Sequence, residues 1–115
     1  MRRGDVVRAQ LPRPAGSPGR EQFGTRPAVV LQDEPGFAGL PTVIVVPLTS
    51  RMSATRFPGA LVVQPSAANG LDVQSVVLCH QVRALDKRRV EAVIGRLSHE
   101  DVSLLEAELR RLMGL

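Results

Sequence analysis

Short apolar runs alternate along the chain with stretches punctuated by glycine and proline, a rhythm of strands and turns. Residues 4–10 (GDVVRAQ) predict a first short strand around Val6 and Val7. Residues 11–26 then form a long loop with three Pro and three Gly. A loop of that length in a small domain is usually functional or mobile. Residues 27–31 (PAVVL) predict a second strand, and residues 32–41 another Gly/Pro-punctuated loop. The strongest strand signal is residues 42–49 (TVIVVPLT), a continuous β-branched run expected to lie centrally and be buried. Pro47 cannot donate to a ladder, so the strand should bend or free an edge there.

Residues 50–58 read as a polar loop carrying Arg51 and Arg56. Residues 60–64 and 74–79 predict two more strands, separated by a loop containing Asn69-Gly70. Residues 80–85 continue as strand or an irregular extension of it, 86–89 as a single helical turn, and 92–97 as a last strand. Ser98 can cap a helix, with Asp101 at the third helical position in a capping-box-like arrangement. Val102, Leu105, Leu109 and Leu112 recur at spacings of three and four and make one apolar stripe. Glu100 and Asp101 come early and Arg110 and Arg111 late, as the helix dipole favours, and Gly114 can end the helix. The expected class is mainly β with a C-terminal helix: a small curled barrel with the helix packed on it, one domain over residues 1–115.

Composition narrows the chemistry. Apolar residues are 43% of the chain, but there are only three Phe and no Tyr or Trp, so the core must be aliphatic. A face of several stacked aromatics, as in many single-strand binders, is excluded. The net charge is +4, and every basic residue except Lys87 is Arg. Guanidinium forks suit phosphates and base edges, although an Arg-heavy chain also fits GC-rich coding. The single cysteine, Cys79, excludes an internal disulfide and reads as a small buried hydrophobe. Two His and one Cys are too few for a His/Cys zinc site in one subunit, and no acid cluster suits a divalent metal. Neither a signal peptide nor an apolar run near the roughly 20 residues of a membrane span is present, so a soluble cytoplasmic protein is expected.

Three segments place polar residues beside strong strands. In Glu21-Gln22-Phe23-Gly24-Thr25-Arg26-Pro27, Arg26 can be held rigidly at a sheet rim, or be a solvated loop Arg. In Pro47-Leu48-Thr49-Ser50-Arg51, two hydroxyls follow the buried strand and can bond a phosphate oxygen or merely the local backbone. In Cys79-His80-Gln81-Val82-Arg83, a period of two places Cys79, Gln81 and Arg83 on one face and His80 on the other. His80 is a possible general acid or base, or simply structural. Lys87-Arg88-Arg89 is a basic run that fits a solvated face or a nucleic-acid backbone.

Taken together, these segments resemble the MazF/PemK family of toxin endoribonucleases. The resemblance rests on Arg3-Gly4-Asp5-Val6-Val7, Arg26-Pro27-Ala28-Val29-Val30, the run from Thr42 to Ser50, Ser75-Val76-Val77, Gln81 to Arg89, Ile94-Gly95-Arg96-Leu97-Ser98 and the final helix, in that order. It implies an SH3-like (MazF/PemK-like) β-barrel, a homodimer, a cognate antitoxin partner, and cleavage of single-stranded RNA at short sequences without a metal or other cofactor. The family's key Arg falls on Arg26 and its Thr on Thr49, followed by Ser50; its loop Glu-Gln falls on Glu21 and Gln22. His80 stands where many relatives carry an acid, Leu78 where one branch carries an Arg, and Arg8 where many carry an aromatic residue.

The implied reaction is attack of a ribose 2′-OH on the adjacent phosphate, giving a 2′,3′-cyclic phosphate and a 5′-OH end. Arg26 would stabilise the phosphorane charge, Thr49 a non-bridging oxygen, and His80 would be the candidate base. Glu21, Gln22, Ser50, Arg51, Arg56 and Gln81 are the candidates for binding substrate, since single-stranded bases are read on their exposed edges. The rivals are a toxin of the same fold that binds gyrase and cleaves nothing, and a nuclease-dead barrel that binds RNA or peptide.

Overall fold

The computed structural model describes residues 1–12, 23–33 and 37–115; Glu21 and Gln22 lie outside them. The elements are β1 (Asp5–Leu11), β2 (Gly24–Val30), β3 (Thr42–Thr49), β4 (Ala60–Val63), β5 (Ser75–Leu78), β6 (Arg83–Asp86), β7 (Val90–Arg96) and helix α1 (His99–Met113). All pairings are antiparallel, in the order β4-β5-β3-β2-β1-β7, with β6 also on β3. This is the expected class, strands followed by one C-terminal helix.

The β-branched run of β3 is central, as its composition predicts. One edge of β3 pairs with β2; the other is shared, Thr42–Val45 with β6 and Leu48–Thr49 with β5. Ile44 turns its backbone to the β2 side, where its C=O accepts from Leu31 N–H at 2.9 Å. By alternation, the donor that Pro47 lacks falls on the shared edge, in the gap between β6 and β5, so no ladder bond is lost. Across that gap residues 78–82 face only Val46 and Pro47. The surplus chain is thrown outward as a 3-10 turn, Cys79–Gln81. The period-two face expected for Cys79, Gln81 and Arg83 is therefore broken, and exposed His80 projects from the turn.

The second strand begins at Gly24, earlier than its apolar run suggests. Pairing of Ala9, Gln10 and Leu11 with Arg26, Thr25 and Gly24 extends the β1–β2 ladder into the expected loop, and sets Arg26 within a strand. Residues 50–58 are likewise not wholly loop: Met52–Arg56 form a 3-10 turn that buries Ala54.

Alternation along β1–β3 supplies two aliphatic clusters. Val6, Val29, Val46 and Leu48 face one, completed by Leu97 and by Leu105 of α1; Val7, Ala9, Ala28, Val30, Val43 and Val45 face the other. Ser98 caps α1, accepting from Asp101 N–H at 3.1 Å, and Gly114 ends it in the left-handed region. The apolar stripe is shorter than its spacing suggests, for Leu105 is buried whereas Leu112 is 39% exposed. Arg3 ties the helix to the sheet, donating to Leu31 C=O (2.7 Å) and Glu106 (2.8 Å).

The sheet curls, but its outer strands, β4 and β7, do not pair with each other. The β4–β5 connection spans the gap instead: Arg96 N–H donates to Ala68 C=O at 2.8 Å. Asn69, almost wholly buried, clasps this connection. Its side-chain oxygen accepts from Ser66 N–H and Leu71 N–H (both 3.0 Å), and its amide donates to Gln64 C=O (2.9 Å).

Candidate active site

Two cavities open at the end of β3, and Thr49 lines both. The smaller, about 200 Å³, gathers Arg26 from β2, Arg8 from β1, Ser50, and Asp72 and Ser75 from the β4–β5 side. The larger, about 430 Å³, lies beyond Thr49 and is lined by Arg51, Arg56, Phe57, His80 and Gln81 over a floor of Ala54 and Leu78. The site thus depends on the end of one strand flanked by two connections.

Arg26 is exposed, and its Nε donates to the Phe23 carbonyl at 3.1 Å. That bond uses one of five guanidinium N–H groups and leaves the fork facing outward. Thr49 is only 7% exposed, and its Oγ1 accepts from Arg51 N–H at 3.2 Å. This fixes the hydroxyl oxygen and leaves its proton to donate. Next along the chain, Ser50 is exposed and lines the smaller cavity.

In the larger cavity the Arg56 guanidinium lies 5.0 Å from the centre of the Phe57 ring. The His80 ring lies 5.0 Å from the same ring, tilted by 41°. Gln81 accepts from Arg83 at 3.1 Å. Cys79, next to His80, is turned inward, and burial pushes its thiol up from 9.0 to about 11, with the Glu108 carboxylate adding to the shift. It takes no part in the site.

Six of the residues singled out from the sequence therefore converge around Thr49: Arg26 and Ser50 on one side, Arg51, Arg56, His80 and Gln81 on the other. Arg26 and His80 line different cavities. Asp72, Ser75 and Arg8 complete the smaller cavity without having been expected. Asp72 arrives there only because the Asn69 clasp folds its loop against β7, a contact with no local sequence signature. Among the described residues no three His, Cys, Asp or Glu side chains group to hold a metal ion, and no helix is long and apolar enough to cross a membrane.

A family model described as PemK-like, MazF-like toxin of type II toxin-antitoxin system matches residues 2–113. The chain belongs to this toxin family. Endoribonuclease MazF of Staphylococcus saprophyticus is 36% identical to it over 115 residues, covering 100% of this chain and 92% of the relative. The crystal structure of MazF from Deinococcus radiodurans superimposes with a TM-score of 0.78 at 26% identity, covering 100% of this chain and 97% of that one. A MazE–MazF crystal structure from the same organism gives 0.75 at 26% identity, with the same coverage. In this MazF-like toxin the resemblance read from the ordered segments is therefore sound over the whole fold.

Proposed function

We propose that this MazF-like toxin is an endoribonuclease that cleaves single-stranded RNA at a short sequence, without a metal, leaving a 2′,3′-cyclic phosphate and a 5′-OH end. We also propose that it works as a homodimer restrained by a cognate antitoxin. One observation carries the reading: Arg26 and Thr49, from different strands, line one cavity at the sheet rim. The 36% identical relative named as an endoribonuclease supports it, as does the antitoxin complex among the similar folds.

In this mechanism the nucleophile belongs to the substrate. A ribose 2′-OH already lies beside its own 3′-phosphate, so the protein needs to orient it, hold charge and move protons. The 2′-oxygen attacks phosphorus as His80 takes its proton. The bond from phosphorus to the 5′-oxygen of the next nucleotide breaks, and that oxygen is protonated from water. Arg26, permanently charged and exposed, stabilises the added negative charge and donates a hydrogen bond to the leaving oxygen. The Thr49 hydroxyl donates to a non-bridging oxygen, with Ser50 beside it. Arg51, Arg56 and Gln81 hold the flanking nucleotide, and Glu21 and Gln22 contribute from the first loop.

The test is incubation of the purified protein with a long unstructured RNA in EDTA. Discrete fragments are expected, with 5′ ends that accept a phosphate from polynucleotide kinase and 3′ ends that resist extension until the cyclic phosphate is removed. An intact RNA overturns the proposal.

A further inference from the structure

Among the described residues Thr49 alone lines both cavities, so an RNA strand whose phosphate sits on Thr49 can place one neighbouring nucleotide in each. The two cavities differ chemically. The smaller holds Arg26, the group assigned to the leaving 5′-oxygen, together with a carboxylate and hydroxyls. The larger has an apolar floor of Ala54 and Leu78, a Phe57 wall and a polar rim. Its volume, about 430 Å³, lies within the ~300–1,000 Å³ of pockets that take small organic ligands. Of the three phenylalanines, only Phe57 lines either cavity.

Phe57 is also held for the task. It packs against the small cluster of Ala54, Val76 and Leu78 and remains partly open to the cavity. Arg56 lies over the ring and His80 is tilted beside it, each at 5.0 Å, so a base reaches the ring face by taking the place of the exposed Arg56 side chain. Charged and aromatic planes grouped in this way suit the π-face of a nucleobase, and they do so without selecting one base by hydrogen bonds alone.

We propose that the larger cavity binds the nucleobase of the nucleotide that supplies the attacking 2′-OH, with Phe57 as its stacking surface. This rests on the ribonuclease reading. The polarity follows from the proton acceptor. Among the described residues that line this cavity, the His80 imidazole is the side chain able to accept a proton, Arg51 and Arg56 being donors only. A base on Phe57 puts its own ribose between His80 and Thr49. The following nucleotide then leaves past Arg26 through the smaller cavity. Phe57 is accordingly a specificity and positioning residue, not a catalytic one.

A cycle between ring and base tests this. Cleavage by the wild-type protein is first mapped on a long RNA in EDTA; no cleavage at all would defeat the ribonuclease reading rather than the assignment of Phe57. Short RNAs spanning the mapped site are then made uncleavable by 2′-deoxy substitution of the attacking nucleotide. They carry an abasic residue at the attacking nucleotide itself, on the 5′ side of the scissile bond, at its 3′ neighbour, or at neither. Removing the 5′ base is expected to weaken binding to wild type roughly ten- to hundredfold. Phe57→Leu should weaken binding to the intact RNA by a similar factor and lose little more on the 5′-abasic RNA, while its losses on the 3′-abasic RNA are additive. With cleavable RNA, Phe57→Leu should raise KM far more than it lowers kcat, and Phe57→Tyr, which keeps the ring, should restore KM. Additive losses at the 5′ position, or an unchanged KM in a folded Phe57→Leu protein, overturn the assignment. Phe57→Met completes the same cycle if the leucine variant does not fold.

Discussion

At the scale of single residues, the proposed chemistry rests on exposed Arg26 and nearly buried Thr49, and these respond differently to substitution. Arg26 is exposed and, among the described residues, its side chain ties to the fold through the Phe23 carbonyl, so Arg26→Ala should melt like wild type. Its cleavage rate should nonetheless fall by about 10²–10³, the usual loss of a donor aimed at developing charge. Single-turnover cleavage beside a thermal melt checks both halves. Arg26→Lys should not restore the rate, because a point charge cannot bridge two oxygens as the fork does. Thr49→Ser keeps the hydroxyl and should retain more activity than Thr49→Ala. For His80, single-turnover cleavage of one short RNA should slow by about 10²–10⁴ in a folded His80→Gln protein, the usual loss of a positioned base. An unchanged rate would move the proton to another acceptor, such as the Asp72 carboxylate that lines the smaller cavity. Cys79 offers a control on the fold. Its raised thiol pKa favours the protonated form in the native state, so this contribution to stability is complete below 9.0 and is lost as pH rises towards about 11. Urea midpoints of wild type should therefore fall between those values more steeply than those of Cys79→Ala, and the native thiol should resist alkylation at pH 8.

At the scale of elements, the β4–β5 connection decides how well the smaller cavity is formed. Gly70 has a positive φ of 72°, and a Cβ there would overlap the Ile94 carbonyl; a Cβ on Gly95 would overlap the Asn69 backbone. The two glycines let the connection lie flat on β7 and carry Asp72 to the cavity. Gly95→Ala is expected to cost about 1–3 kcal/mol, as overpacking of a tight contact does. Asn69→Ala leaves the N–H of Leu71 and the C=O of Gln64 without their bonds and should cost a similar ~1–3 kcal/mol. Both should lower kcat/KM further than their melts alone account for, because the cavity wall is displaced; a proportionate fall would show that the clasp serves stability only. These elements also mark what could be read from the chain. The run from Thr42 to Thr49 and the capped stripe from Ser98 onward were legible because composition and spacing act locally. The order of short segments pointed to Arg26 and Thr49, which the fold brings to one cavity. The turn at Cys79–Gln81 was not legible, since it arises from two segments sharing one edge of β3 with residues to spare. Nor was the early start of β2, imposed by its ladder with β1, or the arrival of Asp72, imposed by a contact with β7.

At the scale of the whole molecule, charge and shape bear on how such a toxin is restrained. The chain carries +4 with fourteen arginines, and Arg8, Arg26, Arg51 and Arg56 all line the two cavities around Thr49. A groove lined by four arginines attracts any flexible polyanion, including an acidic polypeptide segment that folds on binding. An antitoxin using such a segment would gain most by lying across Thr49, where it meets both cavities at once and covers Arg26 and Thr49. Antitoxin and RNA should therefore exclude each other on the toxin. The measurement is displacement of a fluorescent uncleavable RNA by antitoxin, at several salt concentrations. Simple competition is expected, with an apparent inhibition constant that rises in proportion to the RNA concentration. Both affinities should weaken as salt is raised, since each depends on the same guanidinium groups. Arg51→Gln and Arg56→Gln should weaken RNA and antitoxin together, whereas Arg111→Gln, on the exposed end of α1, should affect neither. A ternary complex that keeps RNA bound at Thr49 would show that restraint acts from elsewhere on the molecule, and that the arginine-lined groove belongs to RNA alone.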